Sequence, residues 1–328
     1  MTHPARMFLL PSAGLALMLW ACAPVWAQSQ AWVSSEKDNA LTIVNLKDGS
    51  VSAVVPTCQR PRHLRLAPDR KRVLVACSED HAADVIDVAT RRSVGRIALG
   101  DDPEMFDLSP DGRTLYASNE DEGTLTVVDM ASGKRLSEIP VGKEPEGVLA
   151  TPDGRWVFVT SEAASLVHVI DANTRKVVHN IAVGKRPRRL ALTPDGKQLW
   201  VSNELGASLS IIAVPEFKVA HTVKLELKGA RANEITPVGL VIDRKGERAY
   251  VAAGRSNHVA VIDVRERKVL QWILSGKRAW NLALNADESR LFVVNGLSDD
   301  LTIVDLAQAK ALKSVPVGRV PYGVVLLD

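Results

Sequence analysis

Apolar and polar residues alternate along most of this chain in short runs, with turn residues between them. Leu125-Thr126-Val127-Val128-Asp129 is one such run. A period of two is a strand pattern, because successive side chains of a strand point to opposite faces. The runs are closed by turns such as Ser109-Pro110-Asp111-Gly112, Thr151-Pro152-Asp153-Gly154 and Thr193-Pro194-Asp195-Gly196. Proline presets φ at the second turn position, and Asp-Gly tolerates the positive φ of a tight hairpin. These units repeat. A V-G-x-x-P segment places its proline position at 61, 103, 145, 187, 237, 279 and 321, so the spacings are 42, 42, 42, 50, 42 and 42. Each unit reads as four strands, the first following the anchor, as in Gly147-Val148-Leu149-Ala150. Four short strands per repeat of this length describe a propeller blade and exclude a helical solenoid.

The ends of the chain say how the ring closes. Residues 32–35 (Trp-Val-Ser-Ser) match a second strand, and Tyr322 to Leu327 match a first strand. The last strand is therefore expected to become the inner strand of the blade that the N-terminus begins, which removes the open edge. The fold class is all-β: a seven-bladed β-propeller of four-stranded blades, closed by pairing of the N-terminal strands with the C-terminal strand. One domain is expected over 28–328. The eight extra residues of the long repeat predict an enlarged loop from Glu226 to Ile235 on the channel-mouth face, acting as a partial lid.

Residues 1–27 read as a signal peptide. His3 and Arg6 form a weakly basic start, Met7 to Ala21 an apolar stretch, and Val25-Trp26-Ala27 puts small residues at the −3 and −1 positions of a cleavage site. Leu19-Trp20-Ala21-Cys22 resembles a lipobox, which would anchor the chain at Cys22, but Trp20 is too bulky for that pattern. The apolar run is shorter than the roughly 20 residues of a membrane span. A periplasmic location follows, with no membrane span. Charge adds an exclusion: 41 Lys+Arg against 38 Asp+Glu is no footprint of a nucleic-acid binder. Cys58 and Cys77 fit no haem or zinc spacing. Blade-one hairpin geometry, with Arg62 opposite Cys77, puts both near one end of the blade and within reach of a disulfide.

Tyr116-Ala117-Ser118-Asn119, Phe158-Val159-Thr160-Ser161 and Trp200-Val201-Ser202-Asn203 resemble the Y-V-T-N signature of a large propeller family. A closer resemblance is to the PQQ-dependent catabolism-associated β-propeller proteins. It runs through Ser34-Ser35-Glu36-Lys37-Asp38-Asn39, Asp102-Pro103-Glu104, Ser118-Asn119-Glu120-Asp121, Thr236-Pro237-Val238-Gly239, Gly276-Lys277-Arg278-Ala279-Trp280 and Val317-Gly318-Arg319. The resemblance implies an accessory of periplasmic alcohol oxidation with pyrroloquinoline quinone. It supplies no catalytic residues.

In a propeller the first strands line the central channel, and loops from every blade converge at its mouth. The residues flanking the anchors sample that mouth. Those after it are Arg62, Glu104, Glu146, Arg188, Val238, Trp280 and Tyr322; those before it are Arg60, Asp102, Glu144, Arg186, Thr236, Arg278 and Val320. Taken singly, each is an ordinary solvated charge at a loop end. As a set, Arg60, Arg62, Glu104, Glu146, Arg186, Arg188, Arg278, Trp280 and Tyr322 are the candidate ligand-binding residues. The arginines would hold a carboxylate bidentately and the aromatic pair would stack on a ring, so the expected ligand is a small organic anion or a quinone cofactor. The acidic sector of blades two and three opposes this unless arginines or a metal neutralise it. A second ring, Glu36, Glu79, Glu120, Glu162 and Glu204, gives way to Gly254 and Gly296 in the last two units. Separate blades would hold these carboxylates apart, so neither metal nor cofactor is expected from them. The histidines show no metal pair, and no G-x-S-x-G elbow or phosphate loop is present.

Three functions remain. The main reading is a non-catalytic periplasmic binding or accessory protein. The alternatives are a lactonase-like propeller enzyme and a scaffold docking a periplasmic dehydrogenase or cytochrome. A signal peptide disfavours the cytosolic sugar-phosphate version of the lactonase.

Overall fold

The computed structural model describes Met1 and residues 29–328. The proposed signal peptide and lipobox therefore lie outside the described residues. Seven four-stranded antiparallel sheets are arranged as blades. Blades 1 to 4 begin with the inner strands Pro61–Leu66, Pro103–Leu108, Pro145–Ala150 and Pro187–Leu192. Blades 5 and 6 begin with Leu240–Ile242 and Ala279–Leu284. Blade 7 is composite: Pro321–Leu327 pairs with Gln30–Ser35, with Gln30 opposite Leu327 and Trp32 opposite Val325. The expected closure is what the structure contains. Among the described residues no helix is long and apolar enough to cross a membrane.

Alternation along the strands places the core between neighbouring blades. Leu74 and Ala76 of blade 1, for example, pack with Phe106 and Leu108 of blade 2. The turns follow their sequence: in Ser109–Gly112 the glycine takes φ +69°, its N–H donates to the Ser109 carbonyl, and the Asp111 carboxylate accepts from the Arg113 N–H.

Hydroxyls near the ends of second strands latch four of the blades to the next. Ser34, Ser118, Thr160 and Ser202 donate to the carbonyls of Arg62, Glu146, Arg188 and Val238, at 2.6, 2.7, 3.0 and 2.7 Å. The acceptors are the residues directly after the anchors. The repeated hydroxyl thus fixes the backbone of the channel-lining position in the following blade. The next residue, Asn119 or Asn203, bonds within its own blade, to Thr126 at 2.7 Å and Ser210 at 3.0 Å.

Cys58 and Cys77 form a disulfide with Cα atoms 5.6 Å apart. Pro61, rather than Arg62, lies opposite Cys77, one residue from the expected register. The enlarged loop does occupy the channel-mouth face, where its short turn Ala232–Glu234 lies against the turn Glu204–Gly206. It is not a lid. Ile235 is buried, and Leu227 and Ala230 pack on the core between blades 4 and 5, so the loop seals that junction and stays away from the channel axis.

Candidate functional site

The channel is closed near its mouth by a plug of charged side chains. The seven residues after the anchors are all buried, four of them (Arg62, Glu146, Arg188 and Val238) on a latched backbone. Tyr322 crosses the axis from blade 7. Its hydroxyl lies 3.1 Å from Glu104, 2.9 Å from Glu146 and 2.8 Å from the Arg189 guanidinium. Arg62 pairs with Glu104. Glu146 receives Arg188 at 3.1 Å and Arg189 at 2.6 Å. Burial opposes the charge of Glu146, but Arg188, Arg189 and Arg62 hold its carboxyl well below the usual range. Burial, then the charge of Glu146, pushes the Glu104 carboxyl well above it. Burial likewise raises the Tyr322 hydroxyl, so it stays a neutral donor.

Above the plug the residues before the anchors form a rim. Arg60, Asp102, Glu144, Arg186, Arg278 and Val320 share a left-handed backbone, with φ between +47° and +58°. In blade 4 the rim is fully paired. Arg186 lies 2.6 Å from Glu162 and 3.3 Å from Glu204; Arg188 lies 2.6 Å from Glu162 and 2.8 Å from Glu204. Glu162 comes from the preceding blade and Glu204 from the same one. Burial and Glu146 push the Glu162 carboxyl up to about 8, against the pull of Arg188 and Arg186.

Blade 6 is different. The positions equivalent to Glu162 and Glu204 are Gly254 and Gly296, and Arg278 has no carboxylate within 4.0 Å among the described residues. Its guanidinium stacks 4.2 Å from the Trp280 ring centroid, with Arg188 5.2 Å from the same ring. Burial lowers its pKa, and the charges of the more distant Glu204 and Glu36 offset this only in part. Beside it opens a cavity of about 250 Å³ lined by Glu36, Arg62, Arg188, Arg278, Trp280, Gly296, Val320, Pro321 and Tyr322. Glu36 is only loosely held there, 4.0 Å from Arg60 and 3.9 Å from Arg62.

Of the residues proposed from sequence, Arg62, Arg188, Arg278, Trp280 and Tyr322 meet in this cavity. Glu104 and Glu146 lie beneath it in the plug, while Arg60 and Arg186 sit on the rim, paired with Asp102 and with Glu162. Trp280 and Tyr322 do not offer open stacking faces. Trp280 is covered by two guanidinium groups, and Tyr322 by those of Arg62 and Arg189, 5.0 and 5.5 Å from its centroid. Arg189 went unread. The register shifts between Pro187 and Leu190, so consecutive arginines both reach inward, and the Arg-Arg pair in a channel-lining strand was its only signal. Glu36, seen as one of a ring, is the carboxylate that enters the cavity.

A seven-bladed propeller with a polar, charged channel mouth is the class of protein that fold and site define. The chain belongs to the family described as Lactonase, 7-bladed beta-propeller, whose model matches residues 150–316. It is similar in fold to a protein of unknown function from Desulfotomaculum acetoxidans, at 17% identity and a TM-score of 0.77 over 90% of this chain and 98% of that one. A protein of Bacteroides fragilis, described provisionally as a 6-phosphogluconolactonase, has 16% identity and a TM-score of 0.76 over 93% and 100%. A protein from Lactobacillus plantarum has 18% identity and a TM-score of 0.77 over 92% and 99%. The comparison with curated proteins gives no match.

Proposed function

We propose that the channel mouth binds a small cyclic ester carrying a carboxylate and opens it by hydrolysis. The observation that carries this reading is the unpaired Arg278 guanidinium at the cavity wall, where blade 4 supplies its arginine with two glutamates. A cation desolvated without a partner favours an anionic ligand. Arg278 would hold the substrate carboxylate while Trp280 supports the guanidinium from behind. Glu36 would take a proton from water as that water adds to the ester carbonyl, and Arg62 is the nearby donor for the oxyanion. Collapse cleaves the ring C–O bond and returns the proton to the ring oxygen, leaving a hydroxy acid. Membership of the lactonase family supports this over the accessory role drawn from the earlier resemblance.

The test is turnover of a panel of lactones with and without a carboxylate. The acidic members are expected to react, Arg278→Ala to raise KM about tenfold or more, and Glu36→Gln to lower kcat by roughly 10²-fold or more. If carboxylates bind and no lactone is opened, the second reading stands: a binding accessory of quinone-dependent alcohol oxidation, served by the same guanidinium. We further propose a periplasmic location, which the Cys58–Cys77 disulfide supports because such bonds persist in oxidising compartments.

A further inference from the structure

We propose that Asp102, Glu104 and Glu120 form a site for a hard, oxygen-seeking divalent cation on the rim of blade 2. The site lies outside the Arg278 cavity and is independent of the lactonase reading. One carboxylate oxygen from each residue lies within 4.8 Å of the others. That is the widest separation two ligands can have when both sit about 2.4 Å from one ion. All three belong to a single blade, which is how they meet although the glutamate ring as a whole is spread around the channel.

Two observations separate this cluster from ordinary surface acidity. Glu104 is fully buried; no donor side chain or backbone N–H meets its Oε1, the Glu120 carboxyl lies within hydrogen-bonding reach of it, and Oε2 takes Arg62 and Tyr322. An orphaned carboxylate oxygen at such a depth calls for a cation, a proton or a donor. The repeat supplies the second. In blade 4 the Glu162 carboxylate is met by Arg186 and Arg188. The equivalent of Glu162 in blade 2 is Glu120, and the equivalents of its two arginines are Glu144 and Glu146. Glu120 accordingly has no ion pair among the described residues. The carboxyls of Glu36, Asp102, Glu104 and Glu120 form ion pairs only with Arg60 and Arg62 among the described residues, so a divalent ion that displaces the proton of Glu104 would balance the two negative charges left over. Water would complete the coordination shell, because Arg60 already bridges both Asp102 oxygens, at 3.1 and 3.3 Å.

Chelator-treated protein titrated with CaCl2, and separately with MnCl2, tests this by calorimetry, with bound Mn²⁺ also read by electron paramagnetic resonance. Saturable binding is expected, weakened about tenfold or more in Glu120→Gln, since affinity follows the ligand charge. Glu79→Gln, the exposed equivalent in blade 1, should leave it unchanged. Glu144→Arg should abolish it by giving Glu120 the partner that Glu162 has. Arginine already occupies the same left-handed backbone at 60, 186 and 278, so this variant should fold, and it decides the matter if Glu120→Gln does not. No binding of either ion at millimolar concentration, or undiminished binding in Glu144→Arg, overturns the proposal.

Discussion

Blades 4 and 6 carry an arginine at the same rim position, in nearly the same backbone conformation, φ +55° for Arg186 and +58° for Arg278. Arg186 sits between two glutamates. Arg278 sits between two glycines and faces a cavity. Blade 6 lacks both carboxylate partners and has Trp280 where blade 4 has Arg188. In a ring of similar units every blade is a control for the others, and a break in the pattern shows where a ligand can replace a side chain. Blades 2 and 3 break it the other way, with acidic residues where blade 4 has arginines.

The sharpest way to break this comparison is to remove one arginine from each side. Arg188→Ala would leave Glu146, Glu162 and Glu204 without their shared partner, and losing one member of a buried pair costs about 3–5 kcal/mol. Arg278→Ala deserts no carboxylate and should change stability by less than about 1 kcal/mol. Urea unfolding of both variants is the measurement. Equal losses would mean that Arg278 is a structural cation like the others.

A pH series comes next in size. The Glu162 carboxyl is raised to about 8 in the folded protein, from an ordinary value of 4.5. Between these values the folded chain holds a proton that the unfolded chain has lost. Stability from this group is therefore fully present below about pH 4.5 and is lost as pH rises through 8, by on the order of a few kcal/mol. Thermal unfolding from pH 5 to 9 should show the decline, and Glu162→Gln should flatten it. A wild-type profile that rises over this range would contradict the burial argument for Glu162.

The smallest expected effect sharpens the contrast most. Gly296→Glu restores the blade-4 partner to Arg278, and a Cβ at that position meets nothing closer than 3.7 Å. Carboxylate binding should weaken about tenfold, or 1.4 kcal/mol, with stability unchanged. The same restoration at Gly254 is barred by its φ of +45° and by Thr236 Oγ1, which would lie 2.0 Å from the new Cβ. If Gly296→Glu binds acidic ligands as well as wild type does, Arg278 is not their partner.

Much of the architecture was legible before any coordinates. The 42-residue spacing counted the blades, the turn sequences placed the hairpins, and the strand patterns at the two ends foretold the pairing of Pro321–Leu327 with Gln30–Ser35. The rim and channel positions were legible too, because they keep a fixed offset from the anchor proline. The eight-residue insertion was placed on the correct face and given the wrong role, since its buried Ile235 looks no different in sequence from an exposed one.

What the sequence determined alone is whatever depends on period: strands, blades, closure, and which residues approach the mouth. Local alternation and turn chemistry fix these one repeat at a time. Which charges cancel was decided only by the tertiary structure. Tyr322 meets Glu104, Glu146 and Arg189 across 218, 176 and 133 residues of chain, and Arg188 is shared by carboxylates of two blades. Whether a guanidinium is neutralised or left open to a ligand turns on separations of a few ångströms across the ring axis, and no pattern along the chain records distances across it.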